Sequence, residues 1–361
     1  MGNVALIEFN SYHDECLYSQ LKFLTEAGHT VTLVINHKLD ARTNEYQHLA
    51  KECIIIKPAS LQNFLTRVRF VYQLKKRLQK QGIHTVVFNT ASSRMEVILL
   101  SFLLKNKIAL FGILHNLKKV NHSFSQKLIN KSIKKYFVLN DFLKDSAELE
   151  DKSLQLQSFY PIFFPKYEAK IPEKPKGEIW ISIPGKLDFG RRDYILIAEA
   201  LRKLQSKSNL KILILGNADA ENPTNKEFID SLQNHGLHNN FMMFHSFLDH
   251  GTFHQYIKDS DYILIPLNTV GTNYSKYKIM GCYNQAFGYG INLISPVGLK
   301  HIPDIMAHSI FYDGAEGLSK VFEELSNGSI QNKSKPYNED KWSFESQKNR
   351  YIGFLENIKK N

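Results

Sequence analysis

Cysteine is scarce. The chain has three in 361 residues, Cys16, Cys53 and Cys282, odd in number and far apart. This spacing offers neither a disulfide framework nor a metal-ligand cluster, and it fits a reducing, cytoplasmic compartment. Long apolar runs are missing too: no stretch reaches the ~18 consecutive apolar residues of a membrane-spanning helix, which argues against that class. The opening residues, MGNVALIEFNS, place no basic segment ahead of a long apolar one, so they read as a first strand rather than a targeting leader. Neither GxGxxG nor GxxxxGK[ST] occurs, which counts against a dinucleotide-dependent dehydrogenase and a P-loop nucleotidase.

What is present describes a folded α/β protein. The composition is 43% hydrophobic and 12% aromatic. The length exceeds one ordinary core, which predicts two domains. A net charge of +11 favours an anionic partner, and nucleic acid, an acidic membrane surface and a phosphorylated small molecule all fit it.

Along the chain, short apolar runs alternate with amphipathic ones. VALIEF (4–9), TVTLVIN (30–36), ECIIIK (52–57), HTVVFNT (84–90), KIALFGILHN (107–116) and KYFVLN (135–140) predict strands. Helices are predicted over 16–26, 61–81 and 95–105, and the strand–helix–Gly28–strand step is that of a parallel βαβ unit. Between 158 and 178 four prolines and several charges break both periodicities, which places a linker at 161–178 between domains 1–160 and 179–340. The second run predicts strands in EIWISIPG (178–185), KILILG (211–216), FMMFHS (241–246), DYILIPL (261–267), INLIS (291–295) and SIFYDG (309–314). Thr224 and Glu227 have the spacing of a helix-capping box. In 274–288, Tyr277, Met280, Asn284 and Phe287 recur at helical spacing, with Gly288 and Gly290 as stops. The segment 341–361 is predicted to be helical.

Candidate chemistry gathers at predicted strand ends, where parallel-sheet proteins bind ligands. Gly185 and Lys186 close one strand and are followed by Arg191 and Arg192. This reads either as an anion site at a helix N-terminus or as a solvated basic loop. His115 ends another strand, where it could bind a substrate hydroxyl or move a proton, or be structural. Asn10, Ser11, Tyr12 and His13 follow the first strand and either line a site or make a turn. Tyr274, Lys276, Tyr277, Lys278 and Gln285 dress the predicted helix at 274–288, which suits a phosphate or a sugar hydroxyl as well as a surface role. The basic stretches 61–80 and 127–135 read as solvated faces or as surfaces for anionic lipid.

Taken together, GHTV (28–31), LHN (114–116), GK…RRDY (185–194), the strand-end Gly216, HSFL…SDYILIPL (245–267) and AFGYGINLISP (286–296) resemble the GT-B glycosyltransferases. They resemble in particular the large retaining family that uses nucleotide-sugar donors and includes bacterial polysaccharide enzymes, and the resemblance covers nearly the whole chain. It implies two Rossmann-like parallel-sheet domains facing across a cleft, with the helix at 341–361 crossing back to the first domain. It implies a sugar transferase, of hexosyltransferase type and retaining, acting on a glycan or lipid-linked acceptor in surface-polysaccharide assembly. Lys186 and Arg192 match the pair that grips the donor diphosphate, and His115 matches the histidine near the transferred sugar. Ser11, Tyr12, Gly185, Arg191, Gly216, Ser246, Tyr277, Lys278 and Gln285 fall at donor-binding positions. Where the family carries two glutamates, Tyr277 and Gln285 stand here. Leaving-group charge would be met by cations and helix dipoles, so neither metal nor cofactor is expected. A nucleotide-sugar epimerase of the same fold and a catalytically silent nucleotide- or sugar-binding partner are the alternatives. Nucleic acid ranks last, for want of a basic–aromatic stacking motif. The expected location is cytoplasmic, with the inner membrane face as a further candidate.

Overall fold

In the computed structural model, residues 2–204, 209–267, 274, 276–330 and 339–357 are described. Their contacts divide the chain into two units, one drawn from Met1–Pro165, Lys276–Ile279 and Glu339–Asn361, the other from Lys166–Ser275 and Met280–Asn338.

The first unit follows the chain as β1 (Asn3–Glu8), α1 (Leu17–Glu26), β2 (Thr30–Asn36), α2 (Asp40–Gln47), β3 (Glu52–Ile56), α3 (Phe64–Lys80), β4 (Thr85–Phe88), α4 (Met95–Leu104), β5 (Ala109–Ile113), α5 (Lys118–His122), α6 (Phe124–Asn130), β6 (Lys135–Val138), α7 (Asp141–Asp145) and β7 (Gln155–Ser158). Its strands form one parallel sheet in the order β3-β2-β1-β4-β5-β6-β7. The apolar runs are explained by burial on both faces. Alternate residues of β1 serve two cores: Ala5 and Ile7 pack with Val71, Leu74, Leu100 and Ile129 from α3, α4 and α6, while Val4 and Leu6 pack with Leu17, Leu21 and Leu24 of α1.

The second unit runs β8 (Ile179–Pro184), α8 (Tyr194–Arg202), β9 (Leu210–Asn217), α9 (Pro223–Asn234), β10 (Phe241–Phe244), α10 (His250–Lys258), β11 (Tyr262–Leu264), α11 (Gly281–Tyr289), β12 (Asn292–Pro296), α12 (Pro303–Ala307), β13 (Ser309–Tyr312) and α13 (Gly314–Ser326). Its parallel sheet has the order β10-β9-β8-β11-β12-β13. In each sheet the winding direction reverses beside the first strand, between β1 and β4 and between β8 and β11. The last helix, α14 (Phe344–Glu356), packs on the first unit's sheet. There Tyr351 stacks on Phe137 with ring centroids 4.4 Å apart, and the Gln347 side chain accepts from the Tyr160 amide at 3.0 Å. No helix among the described residues is long and apolar enough to cross a membrane.

Four elements depart from the sequence reading. First, α11 starts at Gly281, so Tyr277 lies ahead of the helix and not on its face. The cause is tertiary: the Tyr277 carbonyl accepts from the Leu117 amide at 2.9 Å, and Tyr277 and Ile279 pack against the first unit's cores. Second, Gly288 stays within α11, and Gly290, at φ 67°, makes the left-handed stop. Third, α9 is capped by Asn222, whose side chain accepts from the Asn225 amide at 3.3 Å ahead of Pro223, so no cap forms at Thr224. Fourth, the basic stretch 127–135 is helical only to Asn130, because Lys135 already pairs with β5 and β7.

Candidate functional site

Polar side chains collect where each sheet reverses its winding, at the carboxyl ends of the strands. In the first unit the centre is Glu8, the last residue of β1 and fully buried. One carboxylate oxygen accepts from the Asn10 amide at 2.7 Å and the Asn10 side chain at 2.8 Å. The other accepts from Asn89 Nδ2 at 2.7 Å and Thr90 Oγ1 at 2.6 Å. Burial raises the Glu8 pKa, and the hydrogen bonds from Thr90, the Asn10 amide and Asn89, with the charge of His13, oppose the rise. The network extends from Asn89 to Gln20 at 2.6 Å and from Gln20 to the Tyr351 hydroxyl at 3.0 Å, which ties α14 to the sheet edge.

Two stacked imidazoles lie at the same sheet edge, one of them close enough to Glu8 to feel its charge. His13, held in the left-handed region at φ 72°, stacks on His115 with centroids 3.7 Å apart and planes 16° from parallel. His115 Nε2 is 2.7 Å from the Asn89 carbonyl oxygen, which can only accept, so Nε2 carries the proton and Nδ1 is the free acceptor. Burial, then the charge of His13, pushes the His115 pKa down to about 3, so this ring is neutral at physiological pH. His13 behaves in the opposite sense. Burial works against its charge, but the 3.0 Å contact with Glu15 and the nearby carboxylates outweigh that and raise its pKa. The two rings are therefore shifted in opposite senses, His13 toward its charged form and His115 toward its neutral one. Tyr12, exposed, sets its ring edge-on to His13 at 4.7 Å, and the Ser11 carbonyl accepts from Arg42 at 3.5 Å.

In the second unit β8 ends in a turn at Gly185, whose φ of 109° suits glycine. Gly216, near the end of β9, lies directly beneath it: a Cβ there would collide with the backbone of Gly185 and Lys186. Arg192 closes the turn from the other side. Its guanidinium donates to the Pro184 carbonyl, to the Lys186 carbonyl at 2.8 Å and to the Tyr194 hydroxyl at 3.3 Å. The Asp193 amide bonds the Pro266 carbonyl at 2.8 Å, fixing the loop across the reversal of the sheet.

Lys186 itself is exposed and forms no ion pair among the described residues. Arg191 pairs with Asp188 at 3.5 Å. The N-terminus of α8 is closed to an external anion, because Asp193 caps it by accepting from the Leu196 amide at 2.9 Å. The α11 N-terminus is different. Its N-cap residue, Met280, provides no side-chain cap. One turn on, Gln285 Oε1 is buried without a hydrogen-bond partner among the described residues. Ser246 is exposed in the loop beyond β10. Lys278 is partly buried ahead of α11.

The structure thus gathers Gly185, Lys186, Arg192 and Gly216 in one turn, and His115 with Ser11 and Tyr12 at one edge. Tyr277 is separated from the α11 helix that carries Gln285. Glu8, Asn89 and Thr90 carry no motif or periodicity that marks a site, whereas His13 belongs to the loop 10–13 that the sequence offers either as a site lining or as a turn. The available signal was a carboxylate ending the otherwise apolar run VALIEF and the Asn-Thr pair ending HTVVFNT. Among the described residues no three His, Cys, Asp or Glu side chains gather as a metal ion would require.

No family model and no curated protein sequence matches the chain. Solved structures do. The UDP-GlcNAc 2-epimerase of Neisseria meningitidis bound to UDP-GlcNAc aligns at a TM-score of 0.67 with 12% identity, over 98% of this chain and 99% of that one. A lipopolysaccharide outer core galactosyltransferase aligns at 0.62 with 13% identity, over 98% and 99%. A glycosyltransferase from Rickettsia africae aligns at 0.61 with 14% identity, over 97% and 93%. Such identities establish the fold, an α/β protein with two parallel-sheet domains like the GT-B proteins, and leave the reaction open.

Proposed function

We propose that this chain is a glycosyltransferase that moves a sugar from a nucleoside-diphosphate sugar to a hydroxyl of a glycan or lipid-linked acceptor. The observation that carries the reading is the Gly185–Gly216 turn. Two glycines bring the backbone close at the sheet reversal, and Arg192 braces the turn while leaving Lys186 exposed beside it. A diphosphate would meet Lys186 and the turn's backbone there, and Arg192 would act through the shape it imposes. The uncapped start of α11 offers further N–H groups, and Gln285 has an acceptor free for a ribose hydroxyl. Departing diphosphate charge would be stabilised by these fixed donors. At the first unit's edge, neutral His115 presents Nδ1 as an acceptor for a hydroxyl proton, beside the His13–Glu15 pair. Retention of configuration and a hexosyl donor rest on the family resemblance alone.

The second reading is a nucleotide-sugar epimerase, favoured by the alignment with the epimerase bound to UDP-GlcNAc at 0.67. Product analysis separates them. Incubated with nucleotide sugars and lipid or glycan acceptors, a transferase yields a glycosylated acceptor and a nucleoside diphosphate, whereas an epimerase yields a rearranged sugar without an acceptor. Tight donor binding with neither product would mark a silent binding partner.

A further inference from the structure

The positive charge of this protein is concentrated in one stretch. Residues 53–140 contain sixteen lysines and arginines and a single acidic residue, Glu96, so the remainder of the chain is slightly acidic. Glu96 is buried and neutralised by Arg94 and Arg67 at 3.3 and 3.6 Å. The stretch folds into α3, α4, α5 and α6 on one face of the first unit's sheet, with α4 touching both α3 and α6.

The outer surface of these helices also carries apolar side chains that the core does not use. On α3, Val71, Leu74 and Leu78 face inward and are buried, while Leu65, Val68 and Tyr72, spaced three and four residues apart, form a second stripe facing outward. Leu65 is 76% exposed, and Phe64 stands beside the stripe at the helix start. Phe102 on α4 and Phe124 on α6 are exposed in the same way. Cations flank the rings: Lys76 Nζ lies 4.7 Å from the Tyr72 centroid, and Lys105 Nζ lies 4.6 Å from that of Phe102. Arg69 is exposed on α3, Lys127 is exposed on α6, and Lys131 is exposed at the end of α6.

We infer that this face docks on an anionic lipid bilayer. Side chains projecting singly from convex helices can enter among lipid chains, while the surrounding lysines and arginines meet headgroup phosphates. Nucleic acid would answer the charge, but Leu65 and Val68 offer no π-face for base stacking. The residues of this surface belong to the first unit and those of the Gly185 turn to the second, and substitution on the surface is expected to leave nucleotide binding intact.

The test is co-sedimentation of the full chain with vesicles of phosphatidylcholine mixed with phosphatidylglycerol, beside vesicles of phosphatidylcholine alone. Binding to the mixed vesicles, weak binding to the neutral ones and loss on adding salt are expected. Lys75→Gln with Lys76→Gln should lower the partition coefficient about fivefold per charge removed. Leu65→Ser with Val68→Ser and Tyr72→Ser should lower it at least as much, with the melting temperature unchanged. Should that variant melt early, Phe124→Ser on α6 gives an independent reading. No sedimentation with either vesicle, equal sedimentation with both, or parental binding by the serine variants would overturn the inference. RNA binding that depends on Lys75 and Lys76 and survives the serine substitutions would overturn it too.

Discussion

Gly216 lies so close beneath Gly185 that a methyl group on it would come within 2.7 Å of the Gly185 carbonyl oxygen. The contact joins the ends of two neighbouring strands and sets the path of the turn that carries Lys186. Gly216→Ala is expected to destabilise the protein by about 1–3 kcal/mol through overpacking and to weaken nucleotide binding. Gly353→Ala is the control. That site sits in α14 with nothing within 4 Å of the added methyl. Denaturant unfolding should show it about 0.5–1 kcal/mol more stable, as for any helical glycine replaced by alanine.

Lys186 and Arg192 should separate on substitution. Lys186 is exposed, so Lys186→Ala should weaken nucleotide binding by tenfold or more with no change in melting temperature. Arg192 braces the turn through the Pro184 and Lys186 carbonyls, so Arg192→Ala should lower both affinity and stability. Calorimetric titration beside a melting curve distinguishes them, and unchanged affinity in the double variant would remove the diphosphate assignment.

The stacked histidines give a pH signature. The folded pKa of His13 is raised above 6.5, so the stability it contributes is fully present below that value and is lost as pH rises through the folded pKa. His13→Gln should therefore cost most in mildly acid buffer and least in alkaline buffer. His115, pushed down to about 3, has the opposite sign: stability falls as pH drops below 6.5, because the unfolded chain takes the proton more readily. Melting temperatures of His13→Gln and the parent across that range are the measurement. A difference independent of pH would contradict the pairing with Glu15.

Glu8 accepts four hydrogen bonds, from the Asn10 amide and side chain, Asn89 and Thr90. Glu8→Gln would turn an amide N–H₂ toward groups that are themselves donors. A loss of about 1–3 kcal/mol is expected, read from urea unfolding, together with a changed His13 loop. A neutral outcome would mean that Glu8 is protonated in the folded protein.

The strands were legible because a parallel sheet covered on both faces demands continuous apolar runs, and VALIEF, TVTLVIN and KILILG supply them. β7, QLQS, has no such run and declares itself only by pairing with β6. The Gly185 turn was legible from its glycine and cations, but the brace formed by Arg192 was not, since it depends on where the guanidinium lands. The start of α11 was misplaced because Tyr277 obeys a contact with Leu117, more than a hundred residues away in the chain, and not its local spacing. The Glu8 cluster brings residues 8, 10, 13, 15, 89, 90 and 115 together through sheet order alone, which no local pattern encodes.

Nucleotide-sugar recognition at the Gly185 turn is the central proposal. Its most direct test is a thermal-shift and calorimetric titration of the full chain with a panel of nucleoside-diphosphate sugars, run beside Lys186→Ala. At least one donor should bind, adding about 2.7 kcal/mol of stability at a hundred times its dissociation constant, and its affinity should fall at least tenfold in the variant. Absence of binding across the panel, or equal binding by Lys186→Ala, would contradict it.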